Sequence, residues 1–370
     1  MQSSIFMRAL LFATTAAFFC HAQSSEANDT VITGFGSAFY AQANSKSLLP
    51  NNFSDTNPNF TNFSLFGLGV ESKITDHWVA AAELLATGST GGISSGFNLS
   101  AEWAYLTYKS DGGALVRAGR QRMPIFTASE YISEHYQLPF RVLPSIIYRA
   151  APFSTFDGVS VSQSIETALG KVIVGIFGGT PIVDLSSTIS SVSASNLLGA
   201  KVSLDGDGWK VRAQASRSQE TINFSTPPTA SYNVSNQQIY TVGYRYDKNN
   251  IVSWGEFLYR QSPGSVQGPK GFALRKSEGG YILAGYRIGK FMPRYTFSHI
   301  DTELGISNPD GTATSHVVGV NYEFEPKIIG KLEVQFDNVS AANSAYGYTV
   351  AAGSTATSSS SIYAGLDFGF

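Results

Sequence analysis

A period of two constrains this chain more than any other feature. From Val31 to Phe370, apolar and polar residues alternate in strand-length runs broken by turn residues. Successive side chains of a β-strand point to opposite faces, so this period belongs to strands and not to helices. Sixteen candidate strands can be marked, from Val31–Gln42 through Ala114–Arg122, Gly158–Glu166, Asn196–Leu204, Gln237–Asp247 and Gly279–Gly289 to Ser359–Phe370.

The connections alternate in length. Short turns are expected at Thr75-Asp76-His77, Asp111-Gly112-Gly113, Ala168-Leu169-Gly170, Asp205 to Gly208, Lys248-Asn249-Asn250, Lys290-Phe291-Met292 and Pro326 to Gly330. Asp-Gly and Asn-Asn tolerate the positive φ of tight hairpins. The other connections, such as Ala43–Asn59, Ile222–Asn236 and Ala341–Ser358, are long and polar. Short on one side and long on the other is the pattern of an outer-membrane barrel. An even strand number puts both ends of the chain on the short-turn side.

One connection differs from the rest. Pro124–Phe156 holds Pro124, Pro139, Pro144 and Pro152, which break helix and ladder alike, yet it is rich in Tyr, Ile, Phe and Leu. A loop so long and so apolar needs a surface to fold against, and the inside of a barrel supplies one.

The faces of the strands set the direction. Ile362, Leu366, Phe368 and Phe370 share one face of the last strand, and Tyr363, Gly365 and Asp367 the other. In Lys331–Ser340, Leu332, Val334 and Phe336 oppose Glu333, Gln335 and Asp337; in Gln237–Asp247, Tyr240, Val242 and Tyr244 oppose Thr241 and Arg245. Apolar outside and polar inside is the membrane-barrel sense. Composition agrees: 14% of residues are charged, the net charge is −2 and 13% are aromatic. So balanced a charge leaves no basic footprint for nucleic acid.

The first residues address the chain. Arg8 precedes the apolar run Ala9–Phe19, and Cys20-His21-Ala22 offers small residues for cleavage after Ala22. This is the plan of a secretory signal, residues 1–22, leaving 23–370 as a single barrel domain. Cys20 is the only cysteine, so the mature chain has no disulfide framework.

The signal, the hairpin rhythm, the segment Val116–Pro124 leading into the long third loop, and the terminal strand IYAGLDFGF ending in Phe370 together resemble a Gram-negative general porin. The resemblance covers the whole mature chain. It implies an all-β, transmembrane, antiparallel up-and-down barrel of about sixteen strands, with short periplasmic turns, long external loops and the third loop folded into the lumen. It implies a homotrimer in outer-membrane lipid, passing small polar solutes and ions, with Phe370 read by the barrel assembly machinery. No cofactor or metal is implied. A constriction is expected from Glu130, Tyr131, Glu134 and Tyr136 on the loop, facing inward arginines Arg212, Arg245 and Arg294, with Arg260 and Arg287 in the same series. Arg120 and Arg122 share a face and belong to the expected constriction; whether they or Arg117 face the lumen stays open. Glu83 reads as luminal, and Glu256 with Arg260 as a wall ion pair.

Two alternatives share the fold: a channel specific for a sugar, carboxylate or other anion, marked by an aromatic track or basic ladder, and a non-conducting barrel serving as adhesin or receptor. No enzyme is expected, because His77, His135, His299 and His316 fall in no Ser/His/acid or metal-ligand spacing. Gly34, Gly36, Ala38, Gly67 and Gly69 are expected to form a flat wall for packing against a neighbouring copy.

Overall fold

A computed structural model of the chain describes residues 30–44, 48–50, 60–61, 64–89, 96–141, 143–151, 153–183, 189–224, 231–262, 264–267, 274–304, 310–340, 348–350 and 356–370. The expected signal, residues 1–22, lies outside them, as does most of Ala341–Ser358.

Sixteen strands form one antiparallel barrel. They are β1 (Thr30–Ala43), β2 (Leu65–Lys73), β3 (Trp78–Ser89), β4 (Gly96–Lys109), β5 (Ala114–Arg122), β6 (Phe153–Thr167), β7 (Gly170–Val183), β8 (Ile189–Gly206), β9 (Trp209–Phe224), β10 (Ser231–Lys248), β11 (Ile251–Gln261), β12 (Leu274–Tyr286), β13 (Phe291–Leu304), β14 (Gly311–Glu325), β15 (Ile328–Val339) and β16 (Ser358–Gly369). Each pairs with its neighbours in sequence, and β1 pairs with β16 in register from Phe35↔Gly369 to Ala43↔Ser361, closing the wall. Closure removes the free edge that a bilayer would not tolerate. A short segment, Gly264–Gln267, extends the wall by pairing with the far end of β10.

The strands run longer than the alternation suggests, chiefly at the long-loop ends: β8 and β10 begin at Ile189 and Ser231. Polar strand ends carry no alternation to read, but they continue the ladder. The third loop is correspondingly shorter, because Phe153 and Phe156 already pair within β6. Asn249 (φ 53°) and Asn250 (φ 66°) form the β10–β11 turn with the left-handed backbone that the sequence there implies.

Val318, Phe257, Ile282, Val242 and Ile176 are all exposed on the outer face. Aromatic contacts flank this band, Phe291 with Tyr322 and Trp78 with Tyr108 at the short-turn end, and Tyr240 with Tyr259 towards the other. A continuous exposed apolar band between aromatic girdles fits lipid, not water.

The glycine expectation needs correcting. Gly34 and Gly36 lie beneath the outward rings of Phe370 and Phe368, and Gly67 lies beneath the inward ring of Phe35. An aromatic ring laid across a cross-strand glycine fills the missing side chain. The flat outward positions of the first strands are instead Ala38, Ala82, Ala104 and Ala118.

Val318 stands at the middle of β14 and is 55% exposed. Val318→Arg should lower the folding stability in vesicles by about 2–4 kcal/mol, the cost of a cation at the bilayer midplane, read from a denaturant titration of the heat-modifiable band. An unchanged midpoint would mean that this face does not meet lipid.

Candidate functional site: the loop within the barrel

The segment between β5 and β6 folds into the lumen, where its backbone meets inward side chains of β9–β16. It has two 3₁₀ turns, Ser129–Tyr131 and His135–Gln137, and one helical turn, α1 (Ser145–Tyr148). Its backbone has no strand ladder inside the lumen, and an unpaired buried carbonyl costs about as much as a lost hydrogen bond. The wall supplies donors. Arg212 donates to the carbonyls of Phe126 and, at 2.6 Å, Pro124. Thr241 Oγ1 donates to Ile125 O (2.5 Å), Asn321 Nδ2 to Pro139 O (2.9 Å) and Arg260 to Ala150 O (2.8 Å). Lys331 Nζ reaches His135 O (2.6 Å), Leu138 O (2.8 Å) and Phe140 O (2.6 Å), and its charge is met by Asp367 at 2.8 Å.

Carboxylates hold the loop's N–H and O–H groups. Glu256 accepts from Thr127 N, from Tyr148 Oη (2.7 Å) and from Tyr281 Oη (2.9 Å). Glu333 accepts from Arg141 N (2.6 Å) and pairs with Arg294, which also donates to Asn321 Oδ1 at 3.0 Å. Arg141, 1% exposed, lies between the rings of Phe39 (4.8 Å) and Tyr363 (4.5 Å). Burial pulls its pKa down to about 10, so it stays charged at neutral pH. Around these polar clamps, Ile125, Phe126, Phe140, Ile146 and Ile147 pack against Trp254, Leu258, Leu283 and Ile300 of the wall.

This changes the expected constriction. Arg212 and Arg294 face inward but are buried, spent on loop carbonyls and on Glu333 rather than presented to a passing solute. Glu256 and Arg260 form no pair with each other; each binds the loop. Arg120 stands on the outer face with the exposed Val159 and Leu106, paired with Asp157 through Nε at 2.9 Å. Alternation leaves Arg117 and Gln121 inward on either side of it, and Gln121 bonds Ser160 across the strand pair. Arg122 ends the strand as the chain turns inward, and it bridges Glu83 (3.2 Å) and Glu102 (2.7 Å).

The loop acids sit otherwise than expected. Glu130 pairs with Lys201 of β8 at 2.9 Å, and this cation holds its carboxyl down at about 2. Glu134 accepts from Tyr136 and Gln137 of its own loop. Tyr131 lies 3.5 Å from Arg245, which sits 5.7 Å over the ring of Trp254. Tyr136 covers Gly369. Arg287 pairs with Asp247 near the short-turn rim.

Sequence spacing could not reveal that Ser37, His135 and Asp367 meet. Ser37 Oγ is 3.0 Å from His135 Nδ1 and donates to Asp367 at 2.6 Å. The acid engages the serine instead of the far ring nitrogen, so the hydroxyl proton is directed to Asp367 and no activated nucleophile results. The cluster is a latch between the loop and the β1–β16 seam. Burial pushes His135 from its ordinary 6.5 down to about 4, so it is neutral at pH 7.

Lys331→Met should leave three loop carbonyls and Asp367 without their cation, destabilising the fold by roughly 3–5 kcal/mol; the denaturant midpoint reads this, and an unchanged midpoint would refute the clamp. The latch gives a pH dependence. Above about 6.5, His135 is neutral folded or unfolded. Between about 6.5 and 4 the unfolded chain binds a proton that the folded site refuses, so stability falls as pH falls through that window. The loss reaches roughly 3 kcal/mol below it. Melting temperatures of wild type and His135→Gln between pH 7.5 and 4.5 should diverge in slope; parallel slopes would remove His135 as the cause.

The chain matches no protein-family model and no curated protein. Its fold does match solved structures. OmpF of Salmonella typhi, in complex with daunomycin, is 14% identical over 93% of this chain and 98% of its own, with a TM-score of 0.64. The trimer form of OmpT from Vibrio cholerae is 11% identical over 93% and 100%, with a TM-score of 0.60. An anion-selective porin from Comamonas acidovorans is 15% identical over 93% and 100%, with a TM-score of 0.59. The chain therefore has the closed, sixteen-stranded antiparallel fold of an outer-membrane porin.

Proposed function

We propose that the chain, exported by residues 1–22, forms a homotrimeric, water-filled channel in the Gram-negative outer membrane for passive diffusion of small hydrophilic solutes and ions. The observation that carries this reading is that the inserted loop does not fill the barrel. Cavities of about 210 Å³ and 130 Å³ remain beside it, both lined by charged and aromatic side chains. A barrel of this width is too wide for its own side chains to fill. The trimeric form of one fold neighbour and the flat alanine face of the first strands support association of three copies. Phe370, hydrogen-bonded to Gly34 at the seam, suits recognition by the assembly machinery.

The narrowest passage in this reading lies between the loop's Glu130, Tyr131, Glu134 and Tyr136 and the wall that carries Arg117, Arg122, Lys201 and Arg245. Opposed charges across such a gap tune selectivity. No catalytic role is proposed, since the one Ser/His/Asp meeting among the described residues is locked.

Planar-bilayer recording tests this: purified protein should open ohmic channels in KCl, appearing in steps of three. Glu130→Gln with Glu134→Gln should free the Lys201 charge and move the reversal potential in a KCl gradient towards anions. A wild-type protein that passes no current would sink the channel reading, and an unmoved reversal potential would remove the two acids from the passage.

A further inference from the structure

Five of the inward guanidiniums are taken up by oxygen acceptors. Arg122, Arg287 and Arg294 hold carboxylates, and Arg212 and Arg260 hold loop carbonyls. Arg117 holds neither. Among the described residues it has no ion-pair partner and its Nε makes no hydrogen bond. Its guanidinium instead lies over the ring of Tyr105, 5.0 Å from the centroid. Tyr105 in turn stacks on Trp103, with centroids 5.3 Å apart and planes 29° from parallel. Both rings point inward, because they share a face with the buried Thr107. Lys201 and Glu130 close the far side of the same cavity of about 210 Å³.

Two stacked rings beside a cation without an ion-pair partner have a definite chemical complement. Guanidinium matches a carboxylate with two parallel hydrogen bonds. A planar ring packs edge-to-face against such a stack. Glu130 does not cancel the attraction, because Lys201 neutralises it within the site. A neutral sugar would leave the guanidinium unmatched, and a small aliphatic acid would leave the rings uncovered.

Resting on the channel reading, we propose that Trp103, Tyr105 and Arg117, with Lys201 opposite, form a subsite in the lumen for small aromatic carboxylates. The solute's ring packs edge-to-face against the Trp103–Tyr105 stack and the carboxylate meets Arg117. The solute is held in passage and not transformed.

Benzoate, acetate and benzamide separate the contributions of ring and charge. Added to one side of a bilayer holding the wild-type channel, benzoate should block the KCl current at a concentration at least tenfold below that needed by acetate or benzamide. Arg117→Gln should raise the half-blocking benzoate concentration about tenfold, with Arg117→Lys intermediate. Trp103→Leu should raise it for benzoate while leaving acetate unchanged. The wild-type comparison needs no variant, so a variant that fails to assemble does not spare the proposal. If KCl current flows but benzoate blocks no better than acetate and benzamide, or if Arg117→Gln leaves the benzoate value in place, the subsite is refuted and the channel stands. If no KCl current flows, both fall.

Discussion

The structure depends on how a loop carries its backbone into a barrel. A strand finds its hydrogen bonds in its neighbours, but an inserted loop brings carbonyls into the lumen with no ladder to satisfy them. Here the wall answers with cations and amides at fixed heights: Arg212 and Thr241 at the loop's entry, Lys331 and Asn321 at its middle, Arg260 at its exit. One ammonium serving three carbonyls is a tight geometry, and it fixes the path of the chain around Lys331. The apolar packing of Phe140, Ile146 and Ile147 against Trp254 and Leu283 gives bulk stabilisation, but it is not directional. The hydrogen-bonded cations decide where the loop lies.

Buried charge of this kind is weak evidence for stability, since desolvation offsets much of the attraction. Its better-supported use is specification. Arg141, Arg294, Lys331, Glu333 and Asp367 are all buried, and each finds its partner only when loop, β13, β15 and β16 meet in one register. A loop displaced by one residue would strand several of these charges at once. The clamp therefore penalises alternative loop positions more than it rewards the native one.

Much of the fold was legible because strand alternation and turn chemistry are local. The outward set of Leu332, Val334 and Phe336, the inward Asp367, the luminal Glu83 and the Asn249-Asn250 turn all follow from neighbours in sequence. What could not be read depends on partners far along the chain. An inward arginine looks the same in sequence whether it faces water, as Arg117 does, or a loop carbonyl, as Arg212 does. Glu256 and Arg260 have the spacing of a wall pair, yet the loop competes for both and takes both. Arg120 and Arg122 share a face by parity, but the chain bends inward at the end of β5, and only Arg122 turns into the lumen with it. Ser37, His135 and Asp367 come from three separate elements, and no spacing could announce their meeting.

The loop's attachment is lopsided, and this shapes the lumen. Its apolar side packs against β10–β15, so that half of the barrel is filled with side chains. On β2–β5 the inward Glu71 and Lys73 are exposed and Trp103, Tyr105 and Arg117 half-buried, while Val79, Ala81, Glu83 and Thr107 are buried. Space remains on both sides of the loop, beside Trp103 and Arg117 and beside Arg245 and Arg287. Arg212, Arg260 and Lys331 are consumed in holding the loop, and Arg294 in holding Glu333, which leaves fewer inward cations free. Arg117 and Arg245 each rest on an aromatic ring, without a carboxylate partner among the described residues. A count of inward arginines from the sequence therefore overstates the positive character of the passage, because loop carbonyls and wall carboxylates take up most of them.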